Sequence, residues 1–542
     1  MLFNSYEFIF LFCPATVAVF FLLGRKSRNL ALGWIIVASL LFYAWWRPAN
    51  VLIICTSLGV NFVFADLLRR YASEQYSSRT RNLILALGVG FNILFLGYFK
   101  YVNFARSVIQ DVTGADFVLV QVILPLGISF FTFQQIAFLI DVHGQRIKDY
   151  TFREFALFVL FFPQLIAGPI VHFREMIPQF RGNPCRFDRE GVSVGLTIFA
   201  FGLFKKVILA DGIAPHVTPI YEAAAAGDAV SLFTAWVAAL GFTLQIYFDF
   251  SGYSDMAAGL ARCFGVKLPL NFNSPLKASN IIDFWSRWHI TLTRFLTAYV
   301  YNPLALWLTR TRIAKGQRGF GGRNTSAGAF IQILAFPTLA TMFLSGLWHG
   351  AGYLFILWGT LHGVYLVINH LWRLIRSRIE SGQERPGKLP QIAGFLITFL
   401  SVTIAMVLFR APTPEAAVSI LRGMVGLNGI SLPRQIMDSL GLTDLIAPIV
   451  SPTNPLPAGE FLLAYAWVLA LLLIALTLPN SIQVMARYEP VLGSKPQPSN
   501  QFGFFRRLAW APTIPWAIAI SLLATMAILR LGGPSEFLYW QF

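Results

Sequence analysis

Seven histidines are scattered through this sequence: His143, His172, His216, His289, His349, His362 and His370. An ionisable side chain in an apolar run is costly, and so marks a functional position by default. His349 sits in MFLSGLWHGAGYLF, at the end of one apolar run and just before the next, among Gly346, Gly350 and Gly352. Glycine allows tight turns and close backbone approach, which predicts an imidazole open to a substrate. An imidazole titrates near pH ~6.5, so it can take a proton at neutral pH. An acceptor hydroxyl beside His349 would lose its proton while attacking an acyl thioester. His289 or a nearby polar group would orient substrates or stabilise the oxyanion. His362 lies inside the following apolar run. The alternative is that such histidines only hydrogen-bond between helices. For His143, His172, His216 and His370, at loops or run ends, that is the expected reading.

Other chemistries find less support. Zinc needs three or four convergent ligands, and no H-x-x-x-H pair or carboxylate cluster lies near His349, so no metal is expected. There is no G-x-S-x-G elbow, no Walker loop and no dinucleotide fingerprint. The basic glycine-rich stretch KGQRGFGGRN, 315–324, could contact phosphates of a cytoplasmic donor but fits a solvated loop better. In IYFDFSGYSDMAAGLARCFGVKLPLNFNSP, 246–275, Asp249 and Asp255 flank Ser251-Gly252-Tyr253 and could shape the donor's access route. Capping and loop hydrogen bonds are the plainer role for each of those residues.

The elements that carry these residues are set by solvent. Of 542 residues, 56% are hydrophobic and only 12% charged, with mean hydropathy +0.63. Soluble domains carry about 25% charged residues, so lipid must cover much of this chain. The net charge of +17 resides in short loops between apolar runs. That reports orientation and does not indicate nucleic acid. Cys13, Cys55, Cys185 and Cys263 are far apart in sequence and give neither a disulfide framework nor a thiolate site. The start, MLFNSYEFIFLF, lacks a basic leader and reads as a retained first span.

A spanning helix needs roughly 20 apolar residues. Candidates lie at 8–23, 30–46, 50–66, 83–99, 117–140, 192–210, 231–250, 329–348, 352–372, 391–409, 461–478 and 513–530. The fold class is therefore all-α, a polytopic bundle of about 11–13 spans, in one domain over 1–542. Lys and Arg mark cytoplasmic loops at 25–28, 69–81, 143–153, 251–328 and 373–388, leaving both termini outside the cytoplasm. Residues 411–460, rich in Pro, Gly and Ser, read as an external loop with short helices. Two segments are irregular. FALFVLFFPQLIAGPIV, 155–171, is interrupted by Pro163 and Gly168-Pro169, predicting a re-entrant pair of half-helices or a surface-lying segment. Residues 281–308 interleave Asp283, Arg287, His289 and Arg294 with aromatic residues, predicting an amphipathic helix lying in or dipping below the cytoplasmic interface.

Long stretches of the chain resemble the membrane-bound O-acyltransferase family, in its bacterial alginate O-acetylase branch. They are LPLGISFFTFQQIAFLIDVH (124–143), FFPQLIAGPIVHFREMIPQF (161–180), YFDFSGYSDMAAGLARCFGVKLPLNFNSP (247–275), DFWSRWHITLTRFLTAYVYNPL (283–304), MFLSGLWHGAGYLFILWGTLHG (342–363) and the ending EFLYWQF. The resemblance runs nearly the whole length in order. It implies that His349, in the Trp-His-Gly motif, is catalytic and that His289 is the second polar position. Asp249, Asn273, Trp285 and Trp348, in the same stretches, are expected to bind substrate. It further implies a funnel of helices around a central tunnel in a bacterial inner membrane. The donor would be acetyl-CoA met from the cytoplasm, with no tightly bound cofactor. The acceptor would be a periplasmic partner protein that passes acetyl to an exopolysaccharide such as alginate or cellulose. Two rivals remain: a polymer or lipid transporter, which would be expected to show inverted repeats, and an acyltransferase with another donor, such as a D-alanyl carrier enzyme.

Overall fold

The computed structural model describes residues 1–72, 77–114, 122–182, 184–321, 325–379, 388–439, 450–451, 457–494, 508–533 and 538. Eleven of the twelve predicted spans coincide with helices; the one expected at 117–140 begins in residues outside the described ones, and its helix runs Ile128–His143. Among the described residues nine helices are long and apolar enough to cross a bilayer, and Arg28–Ala44, Ile128–His143 and Ile514–Leu529 are shorter apolar helices. Many large apolar side chains point outward, among them Leu11, Leu52, Leu94, Leu473 and Ile514. In water such a surface would aggregate; in lipid it is the solvated surface. Strand pairing among the described residues is confined to Ile430–Ser431 with Val450–Ser451 and an isolated bridge between Pro269 and Leu492.

Leu232–Cys263 is the axis of one half of the bundle. Its 32 residues rise about 48 Å at ~1.5 Å per residue, more than the ~30 Å hydrocarbon core. The sequence stops this span at 250 because polar residues begin there. The helix continues because its polar end is buried in protein, where neighbouring side chains supply partners. It packs on Arg189–Phe204, Asp211–Ala225, Leu389–Arg410, Pro414–Met424 and Ala458–Thr477. Glycines set its crossing with Arg189–Phe204. A Cβ on Gly202 would meet the Gly252 carbonyl oxygen at 2.5 Å, and one on Gly195 would meet that of Gly259 at 2.6 Å. With no hydrophobic drive between helices in lipid, such backbone contact is how they associate.

Both irregular segments depart from the surface alternatives. Residues 155–171 are buried: helix Phe152–Leu160 ends at Phe161, and a single turn, Phe162–Leu165, follows. Pro163 sits where its missing N–H costs nothing, and the Phe162 N–H is taken by the Ser39 hydroxyl at 3.1 Å. The broken backbone is satisfied by protein and buried within the bundle, which excludes the surface-lying alternative.

The interfacial helix predicted over 281–308 is corrected. The chain forms Ile281–Trp285, breaks at His289, resumes at Ile290–Leu296, widens into a π turn over Thr297–Tyr301 and continues as Asn302–Ala314. Trp285, Trp288, His289, Leu292 and Phe295 are all buried. The 251–328 loop is corrected with it, since most of that length is helix or buried connection. Within 411–460, helix Pro414–Met424 packs on the axis helix. Residues 440–449 and 452–456 lie outside the described residues, as do Arg323, Arg385 and most of EFLYWQF.

Candidate active site

Helix Phe336–His349 ends on the histidine of the Trp-His-Gly motif, and the chain turns at Gly350 into helix Tyr353–Ile379. The glycines act differently from the open-site expectation. A Cβ on Gly346 would meet the Phe355 carbonyl oxygen at 2.2 Å, and one on Gly350 would meet the Phe355 ring at 2.2 Å. They let the two helices touch and seat Phe355. Phe355 then packs on Phe409, which packs on the imidazole of His349. His349 is consequently 4% exposed. Close packing, not an open turn, is what the glycines provide there.

His289 comes to the same place from another element. The ring centroids of His289 and His349 are 6.4 Å apart, and Trp348 lies 6.0 Å from His289. His289 is fully buried and adopts φ 42°, ψ 51°. A left-handed backbone at a non-glycine residue costs of order 1–3 kcal/mol and persists only when its surroundings over-determine it. Asn271 supplies that constraint. Its carbonyl accepts from the Ile290 N–H at 2.9 Å. Its side-chain Oδ1 lies 3.1 Å from His289 Nδ1 and accepts from the Thr291 hydroxyl at 2.8 Å and the Thr291 N–H at 3.3 Å. Its Nδ2 donates to Ser254 on the axis helix at 3.1 Å. With Oδ1 accepting, Nδ1 of His289 is the donor and the ring's lone pair rests on Nε2. The Ile170 N–H donates to the Thr291 hydroxyl at 3.0 Å, tying the broken 155–171 segment into the network.

Aromatic walls surround the pair. Trp358 lies 5.0 Å from His349 and Phe250 lies 4.7 Å from His289. Trp348 stacks on Phe133 at 5.4 Å. Beyond Trp358, His362 is buried against Phe284, Trp285 and Tyr365. Neither nitrogen of His362 has a hydrogen-bond partner among the described residues, and the same holds for the hydroxyls of Ser345 and Thr341. Those two hydroxyls lie one and two turns before His349 on its own helix. Buried polar atoms nearly always bind something, so this face suits a ligand with polar groups.

The structure brings only some of the sequence-predicted residues together. His349, His289 and Trp348 meet. Trp285 is adjacent, at His362 and Trp358. Asn273 is not with the histidines: its side chain accepts from Asn480 at 3.2 Å. Asp249 is turned away as well. While Phe250 faces His289, the Asp249 carboxylate is 2.6 Å from Lys206, which also donates to Asp211 at 2.7 Å. Asp255 likewise pairs with Lys205 at 2.6 Å. The two carboxylates offered for donor access are thus held by a pair of consecutive lysines. Asn271 was missed; two positions from Asn273, it has no motif of its own. Lys100 was missed too, although a lone lysine at the end of an apolar run is the kind of signal that flags a site. No cluster of His, Cys, Asp and Glu able to hold a metal occurs among the described residues.

The fold and this buried histidine pair define a multi-pass helical membrane protein with a polar centre. Comparison with known proteins narrows the class. Residues 128–315 match the membrane-bound O-acyltransferase family. The chain is 38% identical over 461 residues, 80% of its length, to a peptidoglycan O-acetyltransferase of Helicobacter pylori, covering 81% of that protein. It is 35% identical over 424 residues to a probable alginate O-acetylase AlgI of Pseudomonas aeruginosa, covering 77% of this chain and 73% of that one. A teichoic acid D-alanyltransferase of Streptococcus thermophilus is 28% identical over 294 residues, covering 52% of this chain and 68% of that one. The chain belongs to the membrane-bound O-acyltransferase family, and it is an acyltransferase.

Proposed function

We propose that this protein is an O-acetyltransferase that carries acetyl from a cytoplasmic thioester, acetyl-CoA, through the inner membrane for attachment to an envelope or secreted polysaccharide. The observation that carries the reading is the buried pair His349 and His289, 6.4 Å apart, at the end of a spanning helix. Basic residues Arg310, Arg312, Lys315 and Arg318 precede that helix. With those basic residues cytoplasmic, His349 lies toward the external end of its span, with His289 brought beside it, where an acceptor from outside meets a donor from inside.

In the proposed reaction an acceptor hydroxyl oxygen attacks the thioester carbonyl carbon while its proton passes to the His349 imidazole. The resulting oxyanion collapses, the carbon–sulfur bond breaks, and the thiolate of coenzyme A takes up a proton to leave as the thiol. The new bond is an oxygen ester. His289, held by Asn271, whose Oδ1 Thr291 also bonds, keeps its ring beside the reacting centre and orients the substrates. Trp348, Trp358 and Phe250 exclude bulk water, which would otherwise hydrolyse the thioester.

Relatives that act on peptidoglycan and on alginate are both similar over three quarters of the chain or more, at 38% and 35% identity. The acceptor is therefore proposed only as an envelope glycan, reached through an external partner protein. The test uses purified protein in vesicles with labelled acetyl-CoA on the side of the basic loops and an alginate-type or peptidoglycan-type acceptor on the other, with and without a candidate partner. Transfer by the native protein and none by His349→Ala is the expected result. Undiminished transfer by His349→Ala removes the histidine from the mechanism. Labelled D-alanine taken in place of acetyl reassigns the donor.

A further inference from the structure

The last carbonyls of any α-helix lack partners within it, and at the helix ending on His349 they are met by one short segment. The Tyr101 hydroxyl donates to the Leu347 carbonyl at 2.8 Å. The Lys100 ammonium donates to the Trp348 carbonyl and, at 3.3 Å, to that of His349. Three consecutive carbonyls, ending on the proposed base, are thus held by two consecutive residues. Lys100 and Tyr101 sit on the π turn Gly97–Tyr101, which closes helix Ser78–Leu96. A π turn is rare and concentrates at functional sites; here its wider winding turns both side chains onto one helix end.

Lys100 is 8% exposed, and no carboxylate pairs with it among the described residues. A buried ammonium without a counter-ion is expensive. What compensates is local: the negative end of the histidine helix, the two carbonyls, and the Trp348 ring, whose centroid is 5.8 Å from Nζ. A residue serving only to fill space there would not carry a charge. Every group that compensates this charge belongs to the tripeptide that bears the imidazole or to its helix.

We propose that Lys100, supported by Tyr101, is a positioning residue for His349. Its ammonium clamps the carbonyls on both sides of the imidazole's backbone attachment and so fixes where the ring points. The inference rests on the reading of His349 as the base. It assigns Lys100 no contact with either substrate, so its removal acts on turnover and leaves donor binding alone.

The experiment compares native protein, Lys100→Met, Lys100→Arg, Tyr101→Phe and His349→Ala in the same vesicle assay, with KM for acetyl-CoA and thermal unfolding in detergent measured for each. Lys100→Met is expected to lower kcat by about 10- to 100-fold, the scale of a misplaced catalytic group, with KM for acetyl-CoA unchanged within about twofold. Lys100→Arg, which keeps a cationic donor, recovers much of that loss. Tyr101→Phe, which leaves the ammonium in place, lowers kcat by a few fold; it decides the matter if Lys100→Met does not fold. The inference is overturned by a kcat for Lys100→Met within threefold of native, by a loss that appears in KM alone, or by Lys100→Arg as inactive as Lys100→Met. If Lys100→Met does not fold, an unchanged kcat for Tyr101→Phe overturns it. Inactive His349→Ala alongside fully active Lys100→Met defeats this inference only. Active His349→Ala defeats the function it rests on.

Discussion

Replacing Asn271 by leucine keeps the branched side-chain shape and removes every side-chain polar atom of residue 271 that orders His289, leaving only its backbone carbonyl on the Ile290 N–H. The wild-type amide makes four hydrogen bonds: three accepted at Oδ1, from His289 Nδ1, the Thr291 hydroxyl and the Thr291 N–H, and one donated to Ser254. At about 1 kcal/mol per net bond the loss is about 4 kcal/mol. Interhelical bonds in bilayers average nearer 0.6, giving about 2.4. Leaving the Thr291 N–H and the His289 donor buried without a partner moves the value toward the upper figure. Two of the four bonds, those to His289 and the Thr291 N–H, bear on the left-handed turn itself. Their share, about 1.2–2 kcal/mol, corresponds to a fall in kcat of about 8- to 30-fold. Asn271→Asp, which retains an acceptor at Oδ1, should recover part of it. The assay is acetyl transfer at saturating donor, with detergent unfolding followed in parallel. A native kcat for Asn271→Leu in a folded protein would refute the argument that the asparagine orients His289. So would a kcat loss no larger than the loss of folded protein explains.

The remaining predictions concern stability and pH. Lys206→Met should destabilise by about 3–5 kcal/mol, because it strands the carboxylates of Asp249 and Asp211 inside the bundle. Adding Asp249→Leu should restore part of that, read as the detergent midpoint of unfolding; a single variant as stable as native would sink the triad's role. Glu154 accepts a charge-assisted hydrogen bond from Arg181 at 2.7 Å, which holds its carboxyl below the usual carboxylate range, with the Thr151 N–H adding to the effect. A lowered folded-state pKa gives stability that is present above the ordinary carboxylate pKa and is lost as pH falls through the lowered one. Glu154→Gln should therefore show a shallower fall in unfolding temperature on acidification than native. Parallel acid limbs would count against that contribution.

The site was legible in part. His349 stood out because an imidazole at the junction of two apolar runs has no cheap explanation, His289 through the family resemblance of its segment, and the structure sets the two rings side by side. Asp249 was expected to bind substrate from the family resemblance of its stretch, yet Lys206 reaches it from a neighbouring helix; the cost of burying a charge is real, and here a second charge offsets it. Asn273 and Asn271 look alike in a string of polar letters. Only the turn that brings residue 271 against residues 289–291 separates them. The glycines around His349 were read as freedom and prove to be contact, because a missing Cβ permits either a loose turn or a tight crossing.

Composition alone required lipid as the solvent, and apolar run lengths located the nine helices among the described residues that are long and apolar enough to span, because a bilayer demands internally satisfied backbone over a fixed thickness. The proline and glycine breaks of 155–171 were visible in the same way. Where helices continue past their apolar stretch, which buried charges pair, and which carbonyls Lys100 holds were decided only by tertiary structure. Those outcomes depend on partners from residues 100, 206, 271 and 349, far apart in the chain, and a polar atom's cost or benefit is fixed by what it meets.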